Sequence, residues 1–451
     1  IIMNNAKTYI HPSGLKFVVA NIPSSESCSI SLMLNVGSIY ENKHVHGGAH
    51  LIEHIMFKGT KQMPKKAELS SILDSMGGIY NAYTDYNMTC YHVKVQKKYL
   101  NDVIVTLFQM VIDSLFREED MDEEKLVVVE ELKRERDDPS AYVNELFYQI
   151  VFKDTIYERS VGGTDEEVMA TDYKKLRKFW RKYYNLNNIV VSIAGNVSLD
   201  ALLKAVNKSG VLDQKLSNYI NKNMVVSNPI QTKPRIIVNT RKNMNQLQLI
   251  LGFPTLGYDN KDKYVIRIIK CILAGNMSSR LFIKLRDDYG LAYSVHADSS
   301  LYKNIGIFSI NTGVNGDNIF SNNIDENKGK VDPMYVILYE ICKLKYVKVS
   351  EVELSKAKEY IKGSLVLQLE DSANICEYYG KQFLLDLPVL NVKGLLESID
   401  KVSIDDIIRV SNDIFNLDRL NIAIIGNTNE KNAEVYIKKY LKGFDDKKLY
   451  L

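Results

Sequence analysis

Seven histidines occur in the chain, and four of them fall between positions 44 and 54. Within the stretch GGAHLIEHIMFKG, His50, Glu53 and His54 stand at i, i+3 and i+4. On a helix these three side chains share one face. Two imidazoles one turn apart can ligate a single metal ion, and a carboxylate beside them can take a proton from a water activated there. A centre of this kind needs a third protein ligand and leaves one position open. The acidic stretch DMDEEKLVVVEELKRERDDP, from Asp120 to Pro139, offers candidates. Glu124 and Glu131 are seven residues apart, hence two turns apart on one helix face, but Glu123 and Glu130 form a second such pair. Spacing does not choose between them. A mixed nitrogen and oxygen donor set favours zinc.

The elements that must carry these residues show a duplication. Residues 183–196 read YYNLNNIVVSIAGN and residues 414–427 read IFNLDRLNIAIIGN, so Asn185-Leu186 aligns without a gap on Asn416-Leu417, and Gly195-Asn196 on Gly426-Asn427. In both copies a helical pattern runs into a short apolar strand that stops at a glycine. Two homologous domains are therefore expected, over 1–215 and 236–451, joined by a polar linker at 216–235 that contains Pro229 and Pro234. Each half mixes alternating strands (Leu15 to Ala20, Ser29 to Val36; Gln246 to Phe253, Ile305 to Thr312) with long helical patterns. That is an α+β layout. The turn-rich stretch 314–332 reads as an exposed loop insertion. The second half has no H-x-x-E-H, and its stretch from Ser278 to Phe282 holds no metal ligand.

The chain's 451 residues are 45% apolar and 25% charged, ordinary values for a globular protein. Disorder, collagen-like repeats and a disulfide scaffold are excluded. Lys and Arg total 58 against 55 Asp and Glu, a net charge of +3. So small an excess gives no electrostatic case for binding nucleic acid or a membrane. The apolar stretch from Tyr99 to Phe116 is broken by Asn101, Asp102, Gln109 and Asp113, which suits an amphipathic helix and not a membrane span. Five widely spaced cysteines (Cys28, Cys90, Cys271, Cys342, Cys376) form no CxxC and read as buried thiols of an intracellular protein. With no transit-peptide pattern at the start, the cytoplasm is expected over the mitochondrion.

The order H-x-x-E-H is the inverted form of the zincin motif. With 76 residues between His54 and Glu131, the chain resembles the pitrilysin and mitochondrial processing peptidase family of zinc metallopeptidases. The resemblance implies that His50, His54 and Glu131 bind one zinc ion per chain. It makes Glu53 the general base and Glu124 a support for the ligands, with Glu130 as the neighbouring alternative to Glu131. GGIYNAYTDYNMTCYHV, residues 77–93, is similar to a family segment in which an edge strand around Asn81, Ala82 and Tyr83 lies beside an extended substrate. GNMSSRLFIKLRDDYGLAYSV, residues 275–295, is similar to the segment that supplies an Arg and a Tyr to hold substrate, here Arg286 and Tyr293. The implied fold is two α/β-roll domains, half of a clamshell. The implied activity is endopeptidase cleavage of extended peptides within a dimeric chamber. The partner would be a second copy, or a metal-free homologue in a heterodimer. A presequence-processing subunit and a non-catalytic scaffold subunit, like those of a respiratory complex, are the alternatives.

Overall fold

The computed structural model describes residues 6–214, 216–227, 229–316, 319, 331–428, 430–444 and 447–449. Most of the loop expected at 314–332 lies outside that set, while Val314 and Asn315 still belong to a strand.

In the first half the apolar alternation produces β1 (Lys7–Ile10), β2 (Lys16–Asn21), β3 (Ser27–Leu34), β4 (Ile79–Thr84), β5 (Thr89–Gln96) and β6 (Ile189–Gly195). They form a six-stranded sheet in the order β1-β2-β6-β3-β5-β4. β2 and β6 run parallel, and the remaining pairs are antiparallel. β6 is buried along its whole length and β3 almost so, which requires cover on both faces. Helix Leu100–Ile112, inside the amphipathic stretch read from the sequence, packs on β3 and β5. Helix Ser372–Leu384 packs across β2, β3 and β6. Its Gly380 permits that approach, since a Cβ there would lie 2.6 Å from Met33 Sδ. Ser192 Oγ closes the contact by donating to the Cys376 carbonyl at 2.6 Å.

The second sheet contains β7 (Arg235–Thr240), β8 (Gln246–Leu256), β9 (Ala292–Leu301), β10 (Ile305–Asn315) and β11 (Asn421–Gly426), in the order β7-β11-β8-β10-β9. With β1 set aside, the two orders coincide strand for strand, and β7 with β11 is again the parallel pair. The sequence repeat thus has a structural counterpart. Asn185 and Asn416 each accept a hydrogen bond from the backbone two residues on and open a short 3-10 turn. Gly195 and Gly426 close β6 and β11 at φ of +149° and +152°, a region that L side chains rarely adopt. The fold is α+β with two domains of one topology.

The compact units are not the contiguous halves 1–215 and 236–451. The first takes residues up to Lys133, Ser160–Met224 and Leu365–Leu395; the second takes Arg134–Arg159, Val225–Ser364 and Leu396 onward. Helix Pro139–Val151, from the first half of the sequence, packs on β7, β8 and β11 of the second sheet. Phe147 seats it, because Gly252 leaves room where a Cβ would lie 2.6 Å from the ring. Helix Ser372–Leu384 makes the reciprocal crossing. All five cysteines are buried, and none is in a disulfide. Among the described residues no helix is long and apolar enough to cross a membrane.

Candidate active site

The H-x-x-E-H residues lie on helix Gly48–Ile55. Leu51, Ile52 and Ile55 are fully buried and anchor its inner face. Gly47, just before it, has φ +73°, and a Cβ there would lie 2.3 Å from the Gly162 carbonyl oxygen. The Glu41 carboxylate accepts from Gly47 N at 2.9 Å and Ala49 N at 2.7 Å, which satisfies free donors and places negative charge at the positive end of the helix.

The acidic stretch forms helix Glu118–Asp137, seated by buried Met121, Val128 and Leu132. It carries Glu124 and Glu131 to the histidines. His54 Nε2 lies 3.4 Å and His50 Nε2 3.9 Å from Glu131 Oε2. The imidazoles stand nearly perpendicular, their centroids 4.8 Å apart. Glu124 Oε2 lies 2.8 Å from His54 Nδ1, and Lys58 Nζ holds Glu124 Oε1. Glu130 turns outward to Lys133 and Glu123 to Lys58, both largely exposed. Geometry thus separates the two acidic pairs that spacing left open.

The environment sets different protonation states. Burial first, then His54, pushes His50 down to about 4, so its ring is neutral near pH 7. Burial acts the same way on His54, but hydrogen bonds to Glu124 and Glu131 outweigh it and lift the group to about 9. Burial opposes the charge of Glu124, while His54 and Lys58 hold it down to about 2. Glu53 is raised, chiefly by burial, against a hydrogen bond from Thr84 that lowers it.

One ligand atom each from His50, His54 and Glu131 converges within 4.8 Å. Glu124 holds His54 by Nδ1, and both rings present Nε2 to Glu131. Two imidazole nitrogens and one carboxylate oxygen are a donor set that suits zinc, with His54 giving up its proton to the ion, so the residues present fit it. They line a cavity of about 510 Å³ together with Glu53, Phe57, Lys66 and the β4 residues Asn81, Ala82, Tyr83 and Thr84.

β4 is the open edge of the first sheet. Asn81 is exposed and its Oδ1 accepts from Ala82 N at 2.8 Å. The Tyr83 hydroxyl donates to Glu377 at 3.0 Å, with Lys381 over its ring. In the second unit Arg286 and Tyr293 meet directly. The guanidinium lies 5.0 Å from the Tyr293 ring centroid and donates to the Tyr293 carbonyl at 3.3 Å. Tyr293 stands on β9, the edge of its own sheet, and is 76% exposed. The helix that begins at Arg280 carries no ligand cluster; Arg280 itself bonds Glu353 and Glu340. Three contributors escape a reading of sequence alone: Glu41, Lys58 and Thr84. Each acts through a partner set by folding, and no local pattern marks them.

Residues 16–165 match the family model for insulinase (peptidase family M16), and residues 171–361 match the one for the peptidase M16 inactive domain. An uncharacterized zinc protease of Streptomyces coelicolor is 30% identical over 426 residues, covering 94% of this chain and 90% of its own. The crystal structure of a protease from Helicobacter pylori shares the fold at a TM-score of 0.82 and 21% identity, over 94% of this chain and 99% of that one. The periplasmic protease PqqL of Escherichia coli superposes at 0.78 and 17% identity, over 98% of this chain and 50% of its own length.

Proposed function

The chain belongs to peptidase family M16, and from that premise we propose that it is a zinc-dependent endopeptidase acting on peptides bound in extended form. The observation that carries this reading is the convergence of His50, His54 and Glu131 beside a buried carboxylate, Glu53, at an open strand edge. A zinc ion held by those three side chains would supply Lewis-acid chemistry, polarising the scissile carbonyl and acidifying a water. Glu53 takes the proton of the attacking water and delivers it to the leaving amine, a role suited to a carboxyl raised above its ordinary range. Glu124 holds His54 with Nε2 turned toward the ligand position. The backbone of β4 adds a peptide as a further strand, which reads main chain more than side chain.

Arg286 and Tyr293 stabilise the oxyanion of the tetrahedral intermediate, where losing one donor costs about 3 kcal/mol. We assign them to the site of a partner subunit in a homodimer that encloses a chamber. The match over half of PqqL supports pairing of two such chains.

The test is metal content and cleavage of a quenched fluorescent peptide library, wild type beside Glu53→Gln, with size exclusion on the same samples. One zinc per chain, chelator-sensitive cleavage and an inactive variant that keeps its metal are expected. No bound metal in either protein would overturn the catalytic reading in favour of a scaffold subunit.

A further inference from the structure

Thr84 closes β4, and its hydroxyl donates to Glu53 Oε2 at 2.6 Å. Its backbone matters as well. Asp85 N donates to Met88 O, which makes residues 85 and 88 a hydrogen-bonded pair at the end of the β4–β5 ladder. Bonded and non-bonded pairs alternate along an antiparallel ladder. With Thr84 opposite Thr89 and Ala82 opposite Tyr91, the main-chain groups of Ala82 and Thr84 turn away from β5 toward the open edge. Ala82 N agrees with this, since its partner is Asn81 Oδ1 and not a β5 carbonyl. A peptide added beside β4 would meet those groups. One residue therefore offers its backbone to the peptide and its side chain to Glu53.

The hydroxyl has one proton, and the carboxylate is its best acceptor. Thr89 Oγ1 is 3.5 Å away and spends its own proton on the Val36 carbonyl at 2.9 Å. Among the described residues no other group hydrogen-bonds the Glu53 side chain. A bond of 2.6 Å to an ionised acceptor is of the strong, charge-assisted kind. It fixes one carboxylate oxygen of a residue that lines the cavity.

We infer that Thr84 is a positioning residue for Glu53, so that the strand that seats the peptide also holds the base that acts on it. This rests on the peptidase reading. It carries no claim that Thr84 touches the reacting atoms.

Thr84→Val removes the donor at nearly constant shape, and Thr84→Ser keeps it. Two probes are needed: one quenched fluorescent decapeptide that wild type cleaves, and a fluorescein-labelled copy for anisotropy with the chelated, metal-free protein. Valine should lower kcat by about 10–100-fold, the usual loss for removing a group that orients an active-site residue. KM, zinc per chain and the Kd of the labelled peptide for the metal-free protein should not move, and serine should recover most of kcat. A valine variant with wild-type kcat, a loss that falls on KM, Kd or zinc content, or a serine variant as impaired as valine would overturn the inference while leaving the peptidase reading in place. Zinc-loaded wild type that cleaves no peptide would overturn both.

Discussion

His54 is fixed from behind by a chain of two charges, Glu124 and then Lys58, whose side chain is only 11% exposed. Removing the ammonium would leave the Glu124 carboxylate buried with His54 as its main partner. It should rise from its depressed value and grip the ring less firmly. Lys58→Met is expected to weaken zinc binding by about 10–100-fold, measured by competition with a chromophoric chelator, while Lys58→Arg retains most of the affinity. At this scale the sequence was most legible where chemistry is local. His50, Glu53 and His54 lie within five positions of one helix, so 3.6-residue geometry alone places them together. Glu131 and Glu124 needed more, because Glu130 and Glu123 satisfy the same spacing. Only the docking of the acidic helix turns one pair inward. Lys58 and Thr84 join the site across separations of 66 and 31 residues, and no periodicity encodes such a pairing.

The helices of the second unit are tied by ion pairs where the first unit gathers ligands. Arg280 reaches Glu353 at 2.7 Å and Glu340 at 3.4 Å, linking helices Glu351–Gln368 and Pro333–Tyr346. Glu340 is 6% exposed, so Arg280→Met strands a carboxylate in the interior at a cost of about 3 kcal/mol. A lowered urea midpoint that adding Glu340→Gln partly restores would establish the link; a midpoint equal to wild type would refute it. A second tie depends on pH. Asp262, at the start of helix Lys263–Ala274, accepts from both Arg409 terminal nitrogens at 2.8 Å, and that bond lowers its pKa. A depressed carboxyl adds stability above its unfolded pKa of about 3.9 and loses it as pH falls through the folded value. Arg409 is 45% exposed, so solvent limits the tie to about 1 kcal/mol or less. Arg409→Gln also removes the donor to Asp406 Oδ1 at 3.0 Å, so it should lower the Tm between pH 5 and 7. The gap to wild type should close as the pH falls through the depressed folded values of both carboxyls, about 2 for Asp406. A gap that persists in acid would mean that Arg409 acts through packing. Neither tie was read from sequence. Charged residues on helices are usually solvated, and only the packed structure separates these from the rest.

At the scale of the whole chain the repeat was legible because each copy keeps its asparagine-capped turn and its closing glycine, 231 residues apart, which duplicates a strand and its entry. The helix exchange was not. Helices Pro139–Val151 and Ser372–Leu384 are amphipathic like any other, and an apolar face does not say which sheet it covers. The consequence is that neither half of the sequence contains a complete unit, so expressing 1–215 or 236–451 alone would leave one sheet face bare. On the proposed reading the chain is also functionally divided, with the candidate zinc ligands in one unit and Arg286 with Tyr293 in the other. If a partner's Arg286 and Tyr293 complete each site, two inactive variants should complement. Glu53→Gln lacks its base but keeps the Arg–Tyr pair; the double variant Arg286→Ala, Tyr293→Phe has the reverse defect. Random pairing makes half of the dimers mixed, and each mixed dimer holds one intact site of two, so the exchanged mixture should regain about a quarter of wild-type activity. Action of the pair within its own chain would leave the mixture as inactive as its components, since every subunit would then carry one defect or the other.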